Sequence, residues 1–141
     1  MARILVAEDD ENVRSFVVRA LSLKGHDVVE ASDGGLAAEI MTAENGRFDL
    51  LLSDIKMPVM DGIALALTVA ATHPDVTILL MTGFADQRER AHGLEALIYD
   101  VIPKPFTLQE LMAKVDDALA GRPAEIVSLA QKGLPDEDPP A

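Results

Sequence analysis

A doubly wound α/β domain on a parallel sheet is the fold this sequence predicts, and three observations predict it. Short apolar runs (Ile4–Ala7, Val28–Ala31, Leu50–Ser53, Val76–Met81, Ile98–Ile102) alternate with segments of helical spacing. Most of the runs are apolar at consecutive rather than alternate positions, as in strands buried on both faces beneath helices. Glu8 and Asp9 follow the first run, Asp54 the third, Thr82 the fourth and Lys104 the fifth. Right-handed crossovers bring strand ends that precede helices to one edge of the sheet, where such folds bind ligands.

The elements follow in order. After the first strand, Val13, Phe16, Val17, Ala20 and Leu21 repeat at i, i+3, i+4, i+7 and i+8, a helix packed on one side, with Gly25 as its stop. Asp9 and Asp10 precede this helix, and either can cap it. Val28, Val29 and Ala31 form the second strand. A helix from about Gly34 to Ala43 ends near Asn45-Gly46. Leu50, Leu51 and Leu52 make the third strand. A turn from Lys56 to Gly62, closed by packing of Met57 and Met60, leads into a third helix that ends before Pro74; Asp61 is its turn and cap residue. The fourth strand is Val76–Met81. Residues 85–97 form a polar, Arg-rich and weaker helix, and Ile98–Ile102 is the fifth strand. Leu108, Leu111, Met112, Val115 and Leu119 mark the last helix, with Thr107 as N-cap and Glu110 completing a capping box.

Composition limits what such a domain does. With 141 residues, 49% of them hydrophobic, the chain has material for one well-buried core. Cysteine is absent, which excludes disulfides, thiol catalysis and Cys-based metal sites. No run approaches the roughly 20 apolar residues of a membrane span, and Met1-Ala2-Arg3-Ile4 leads directly into a strand, so no signal peptide and a cytoplasmic location are expected. A net charge of −12 disfavours direct binding to nucleic acid and is largely a solubilising surface. The expected division is a domain over residues 1–121 and a flexible Pro- and acid-rich tail over 122–141.

Carboxylates gathered at one sheet edge repel each other unless a hard cation holds them, and Mg2+ is the natural guest of oxygen ligands. Asp9 and Asp54 are expected to ligate it directly and Glu8 through water, with the backbone carbonyl of Lys56 as a neutral ligand from the turn after Asp54. Asp54 then becomes a nucleophile toward a phosphoryl donor. Lys104 neutralises the oxygens of the transferring group, and Thr82 hydrogen-bonds the phosphoryl group that remains.

The strings ILVAEDD, LLLSDIKMPVMDG, ILLMTG and VIPKPF, in this order and spacing, resemble the receiver domain of two-component response regulators over residues 1 to about 121. The resemblance implies a flavodoxin-like, five-stranded parallel sheet of order 2-1-3-4-5 with five helices. It implies Asp54 as phosphoacceptor, Glu8 and Asp9 as the acidic pair, Thr82 as the switch hydroxyl, and a cis peptide between Lys104 and Pro105. The donor would be a histidine kinase or histidine phosphotransferase. The aromatic that the family often places three residues before the lysine is Val101 here; Tyr99, two residues further back, is expected on the same face of the strand. Among stand-alone receivers the AEDD, MTGF and KPF strings look most like the CpdR type of alphaproteobacteria, which implies a protein target such as ClpX of the ClpXP protease. A homodimer through the face of the fourth helix, fifth strand and fifth helix is open.

Blander readings exist for each residue. Lys104 between two prolines is by itself a solvated turn lysine, and only its register with the acids makes it a site residue. Thr82 alone is a loop hydroxyl. His26, His73 and His92 share no metal-ligand spacing and read as surface residues. The expected function is a phosphorylation-controlled binding module, not an enzyme. A metal-dependent phosphohydrolase with an aspartyl-phosphate would need a second acid where Lys56 stands. A phosphate-independent scaffold keeps the fold without the chemistry. A nucleotide-binding domain would need a glycine-rich turn where Glu8, Asp9 and Asp10 lie.

Overall fold

In the computed structural model, which describes residues 1–83, 91 and 93–121, the chain runs β1 (Arg3–Ala7), α1 (Glu11–Leu23), β2 (Asp27–Ala31), α2 (Gly34–Ala43), β3 (Leu50–Asp54), α3 (Gly62–Thr72), β4 (Thr77–Thr82), β5 (Asp100–Pro103) and α4 (Leu108–Leu119). All pairings are parallel, and the strand order is β2-β1-β3-β4-β5. The four helices belong to the described residues. The expected helix at 85–97 falls mainly outside them, and residues 93–97, which lie inside, form turns with i to i+3 bonds from Leu94 to Ala91 and from Leu97 to Leu94. The expected tail, 122–141, also lies outside the described residues.

Consecutive apolar residues in the central strands face two cores. Leu5, Leu51, Ile78 and Leu80 pack beneath α2 and α3 with Ala37, Met41, Leu65 and Val69. Ile4, Val6, Leu50, Leu52 and Leu79 pack beneath α1 and α4 with Val17, Leu21, Leu111 and Val115. Each fully buried Leu or Ile contributes about 1.5–3 kcal/mol relative to exposure, so β1, β3 and β4 form the rigid centre of the molecule. Phe16 departs from its expected place: although it keeps helical register with Val13 and Val17, it is 42% exposed and leans on Phe106, with ring centroids 6.4 Å apart.

A side chain caps each described helix. Asp10, rather than Asp9, accepts from Asn12 N and Val13 N; Asp33 accepts from Leu36 N; Asp61 accepts from Ala64 N; Thr107 and Glu110 form the expected capping box. Such caps are worth about 1 kcal/mol each and fix where the preceding loop ends. At the edge of the sheet opposite those loops, the Arg3 guanidinium bonds Asp27, Glu44 and the Arg47 carbonyl and lies over the Phe48 ring.

β5 begins two residues later than expected, and the reason is a slip in its pairing. Tyr99 N donates to Ile78 O, while Lys104 N donates to Thr82 O. Five steps along this strand therefore span four along β4, as in a bulge, and the extra residue reverses side-chain alternation. Tyr99 consequently packs with the α1/α4 core and Val101 with the α2/α3 core. The expectation that both share a face is overturned.

Candidate functional site

Register brings the chemistry together. Ala7 pairs with Ser53, Asp54 with Met81, and Thr82 with Pro103, so Glu8, Asp54, Thr82 and Lys104 all emerge at the same edge. Carboxylate oxygens of Glu8, Asp9 and Asp54 lie within 4.8 Å of one another. Glu8 is fully buried, Asp54 nearly so, and Asp9 is exposed. Lys104 Nζ donates to Glu8 Oε1 at 2.8 Å and stands 3.1 Å from Asp54 Oδ1. The Lys104–Pro105 peptide is cis. Lys56 follows in the turn after Asp54 with its side chain exposed.

Thr82 Oγ1 is buried and has no hydrogen-bond partner among the described residues. A buried hydroxyl left unpaired costs free energy, so its place beside the acids marks a site built for another group.

Two supporting residues carried no sequence signal. Arg14 Nη1 donates to the Glu8 carbonyl at 2.9 Å while its Nε pairs with Glu30 at 2.9 Å, tying α1 and β2 to the acidic turn. Ser53 Oγ donates to the Asp54 carbonyl at 2.8 Å. An arginine on a polar helix face and a serine within a strand are both ordinary in sequence. His26 also differs from expectation, being half-buried with Nδ1 accepting from Ala2 N; His92 lies outside the described residues.

Burial pushes the Glu8 carboxyl above its ordinary range; the Lys104 hydrogen bond opposes this and the Asp54 charge adds to it. Burial likewise raises Asp54, against the pull of Lys104. Burial lowers Lys104, but its bond to Glu8 and the charges of Asp54 and Glu8 outweigh that and leave it raised. One ammonium thus fails to neutralise its two acids fully. An all-oxygen donor set with residual negative charge suits a hard divalent cation. A carboxylate beside such a cation is chemically competent as a nucleophile, and Lys104 is a cationic donor within reach of the same Asp54 carboxylate.

Beside Lys104 an apolar cleft of about 510 Å3 is lined by Val13, Phe16, Pro105 and Phe106. Among the described residues no helix is long and apolar enough to cross a membrane.

Comparison with known proteins matches residues 4–116 to the response regulator receiver domain. The chain is 36% identical over 137 residues to the response regulator MprA of a Mycobacterium species, covering 97% of this chain and 54% of that one. It is 36% identical over 118 residues to the sensor kinase CckA of Brucella abortus, covering 84% of this chain and 12% of that one. The chain thus spans about half or less of the length of these curated relatives. A solved structure of the response regulator TrrA from Thermotoga maritima, in complex with Mg2+-BeF, superposes with a TM-score of 0.74 at 28% identity, covering 84% of this chain and 99% of that one.

Proposed function

The chain belongs to the response regulator receiver domain family, and from that premise we propose that it accepts a phosphoryl group on Asp54 and signals by phosphorylation-dependent binding to another protein. The observation that carries this reading is the convergence of three carboxylates, Lys104 and the unpartnered Thr82 hydroxyl at one sheet edge. The donor is a phosphohistidine of a histidine kinase or phosphotransferase. An Asp54 carboxylate oxygen attacks phosphorus, the P–N bond breaks, and the imidazole leaves with the bonding pair and takes up a proton. Asp54 is left as a mixed anhydride with phosphate.

Glu8, Asp9 and Asp54, with the Lys56 carbonyl, would hold Mg2+, which when bound supplies positive charge between the acids and the phosphoryl oxygens. The Mg2+-BeF complex of TrrA supports that assignment. Lys104 pairs with the transferred oxygens, and Thr82 donates its hydroxyl to one of them. The apolar cleft beside Lys104 supports a protein donor, whose side chains can seat on Phe16 and Phe106 while its phosphohistidine approaches Asp54. Lys56, exposed and basic, offers no carboxylate to activate water, which favours a phosphoryl carrier over a phosphohydrolase. The target is a protein, and the CpdR-like strings make ClpX of ClpXP the first candidate.

The test is intact mass after incubation with Mg2+ and a small acyl phosphate. One added phosphoryl group on the parent and none on Asp54→Asn is the expected result. Equal incorporation in both would overturn the assignment.

A further inference from the structure

Apolar side chains that the sheet does not cover run along the seam between α1 and α4. On α1, Phe16 and Leu23 are exposed, Leu23 to 81%, and their spacing of seven puts them on one stripe. On α4, Leu108 is exposed, and Met112 and Leu119, half-buried, follow it on one stripe at helical spacing. Met112 and Leu119 pack against the core shared by α1 and α4, which places their stripe on the side toward α1. At the end near Lys104 the seam opens into the cleft of about 510 Å3 walled by Val13, Phe16 and Phe106. Single apolar residues on a surface need no explanation, but a continuous strip that ends in a cleft marks a binding surface.

What lies within reach decides what covers it. Gly121, with φ +74°, donates its N–H to Ala118 O, a left-handed end that turns the chain off the axis of α4 beside Leu119. Beyond it, Ile126, Val127 and Leu129 cluster between Pro123 and the acidic run of Asp136, Glu137 and Asp138. The nine steps from Gly121 to Ala130 can span up to about 30 Å, whereas the seam from Leu119 back to Leu108 is about 17 Å long. A segment tethered this closely has an effective concentration in the millimolar range, so a weak apolar contact suffices to seat it. Arg19, exposed on α1 between Phe16 and Leu23, offers Glu125 a partner of opposite charge. A second copy is a poorer occupant, since two chains of net charge −12 repel each other.

We propose that residues 126–130 fold back along α1 and α4 and lay Ile126, Val127 and Leu129 on the strip and the mouth of the cleft. The apolar surface near Lys104 is then covered by the chain itself. A phosphoryl donor that seats in the cleft, on the reading given above, must displace the segment; the docking itself does not depend on that reading.

The absence of cysteine allows a direct test in the full chain. Two double variants, Asn12→Cys with Ala130→Cys and Ala113→Cys with Ala130→Cys, are oxidised at low protein concentration, and the internal disulfide is read by intact mass after alkylation of free thiols. Asn12 lines the cleft, while Ala113 is exposed on the other flank of α4 and closer to Gly121 along the helix. A segment that is merely tethered links to Ala113 at least as readily. Docking should form the Asn12 disulfide about tenfold faster than the Ala113 one, and adding Val127→Asp with Leu129→Asp should remove that advantage. Equal rates for the two pairs, or an advantage that survives both aspartates, would overturn the proposal. Disulfides between chains in place of the internal one would assign the strip to a second copy and overturn it as well.

Discussion

Lys104 Nζ reaches Glu8 Oε1 at 2.8 Å across 96 positions of sequence, pairing a fully buried carboxylate with a partly exposed ammonium. The same ammonium lies 3.1 Å from Asp54 Oδ1, so one positive charge is shared between two acids. A divalent cation among those acids would compete with Lys104 for them.

Lys104→Ala should therefore weaken the metal-free fold by about 1–3 kcal/mol, since the lost partner leaves buried carboxylates that can relieve their charge only by protonation. Mg2+ affinity should hold or tighten. Urea melts with and without Mg2+ measure both effects, and a marked loss of Mg2+ binding would show that Lys104 supports the cation instead of competing with it.

Glu8 and Asp54 give the metal-free protein a signed pH dependence. Both carboxyls are raised in the folded state from ordinary values of 4.5 and 3.8, chiefly by burial. Above those ordinary values and up to the raised ones, the folded state binds more protons than the unfolded state, so stability falls as pH rises, by at most about 1.4 kcal/mol per pH unit for each group. Lys104, also raised, has the opposite range: its contribution is complete below its ordinary 10.5 and is lost as pH climbs through the folded value. Denaturation of the parent against a Glu8→Gln, Asp54→Asn double variant at a series of pH values isolates the acids. Their difference should narrow with acidification, and saturating Mg2+ should stabilise the parent but not the double variant.

Arg14→Ala should cost about 1 kcal/mol and weaken Mg2+ binding several-fold, because the Glu8 carbonyl loses the donor that fixes the acidic turn to α1. Arg14→Lys should not restore affinity, since an ammonium lacks the planar fork that serves the Glu8 carbonyl and Glu30 together. Calorimetric titration of the two variants decides this; full binding by Arg14→Ala would confine the residue to a surface ion pair.

Much of this was legible in the chain because it depends on local rules. Apolar runs without alternation announced buried parallel strands, the residues that end them announced the edge where Glu8, Asp54, Thr82 and Lys104 meet, and Thr107 with Glu110 announced a helix start. What escaped depends on long-range fit. The face taken by Tyr99 is set by one extra residue in the pairing of β5 with β4, and alternation within one strand carries no information about its neighbour's register. Phe16 keeps helical periodicity, yet its side chain goes to Phe106, a contact 90 positions away that no local period encodes. Arg14 acts through a backbone carbonyl, which every residue possesses and no sequence distinguishes.

The borders of the sheet restrict how this protein can join others. β5 is four residues long and ends in Pro103, which has no N–H to offer a further strand, and its Asp100 is engaged by Lys114. At the opposite border, β2 places Asp27 and Glu30 outward under the guanidinium groups of Arg3 and Arg14. Short, charged or proline-bearing edges resist the addition of another chain's backbone. Association by sheet extension is thus discouraged on both sides. If the protein binds a partner as proposed above, recognition would pass through side chains on the helices and loops, which a phosphoryl group on Asp54 would reach without remaking the sheet.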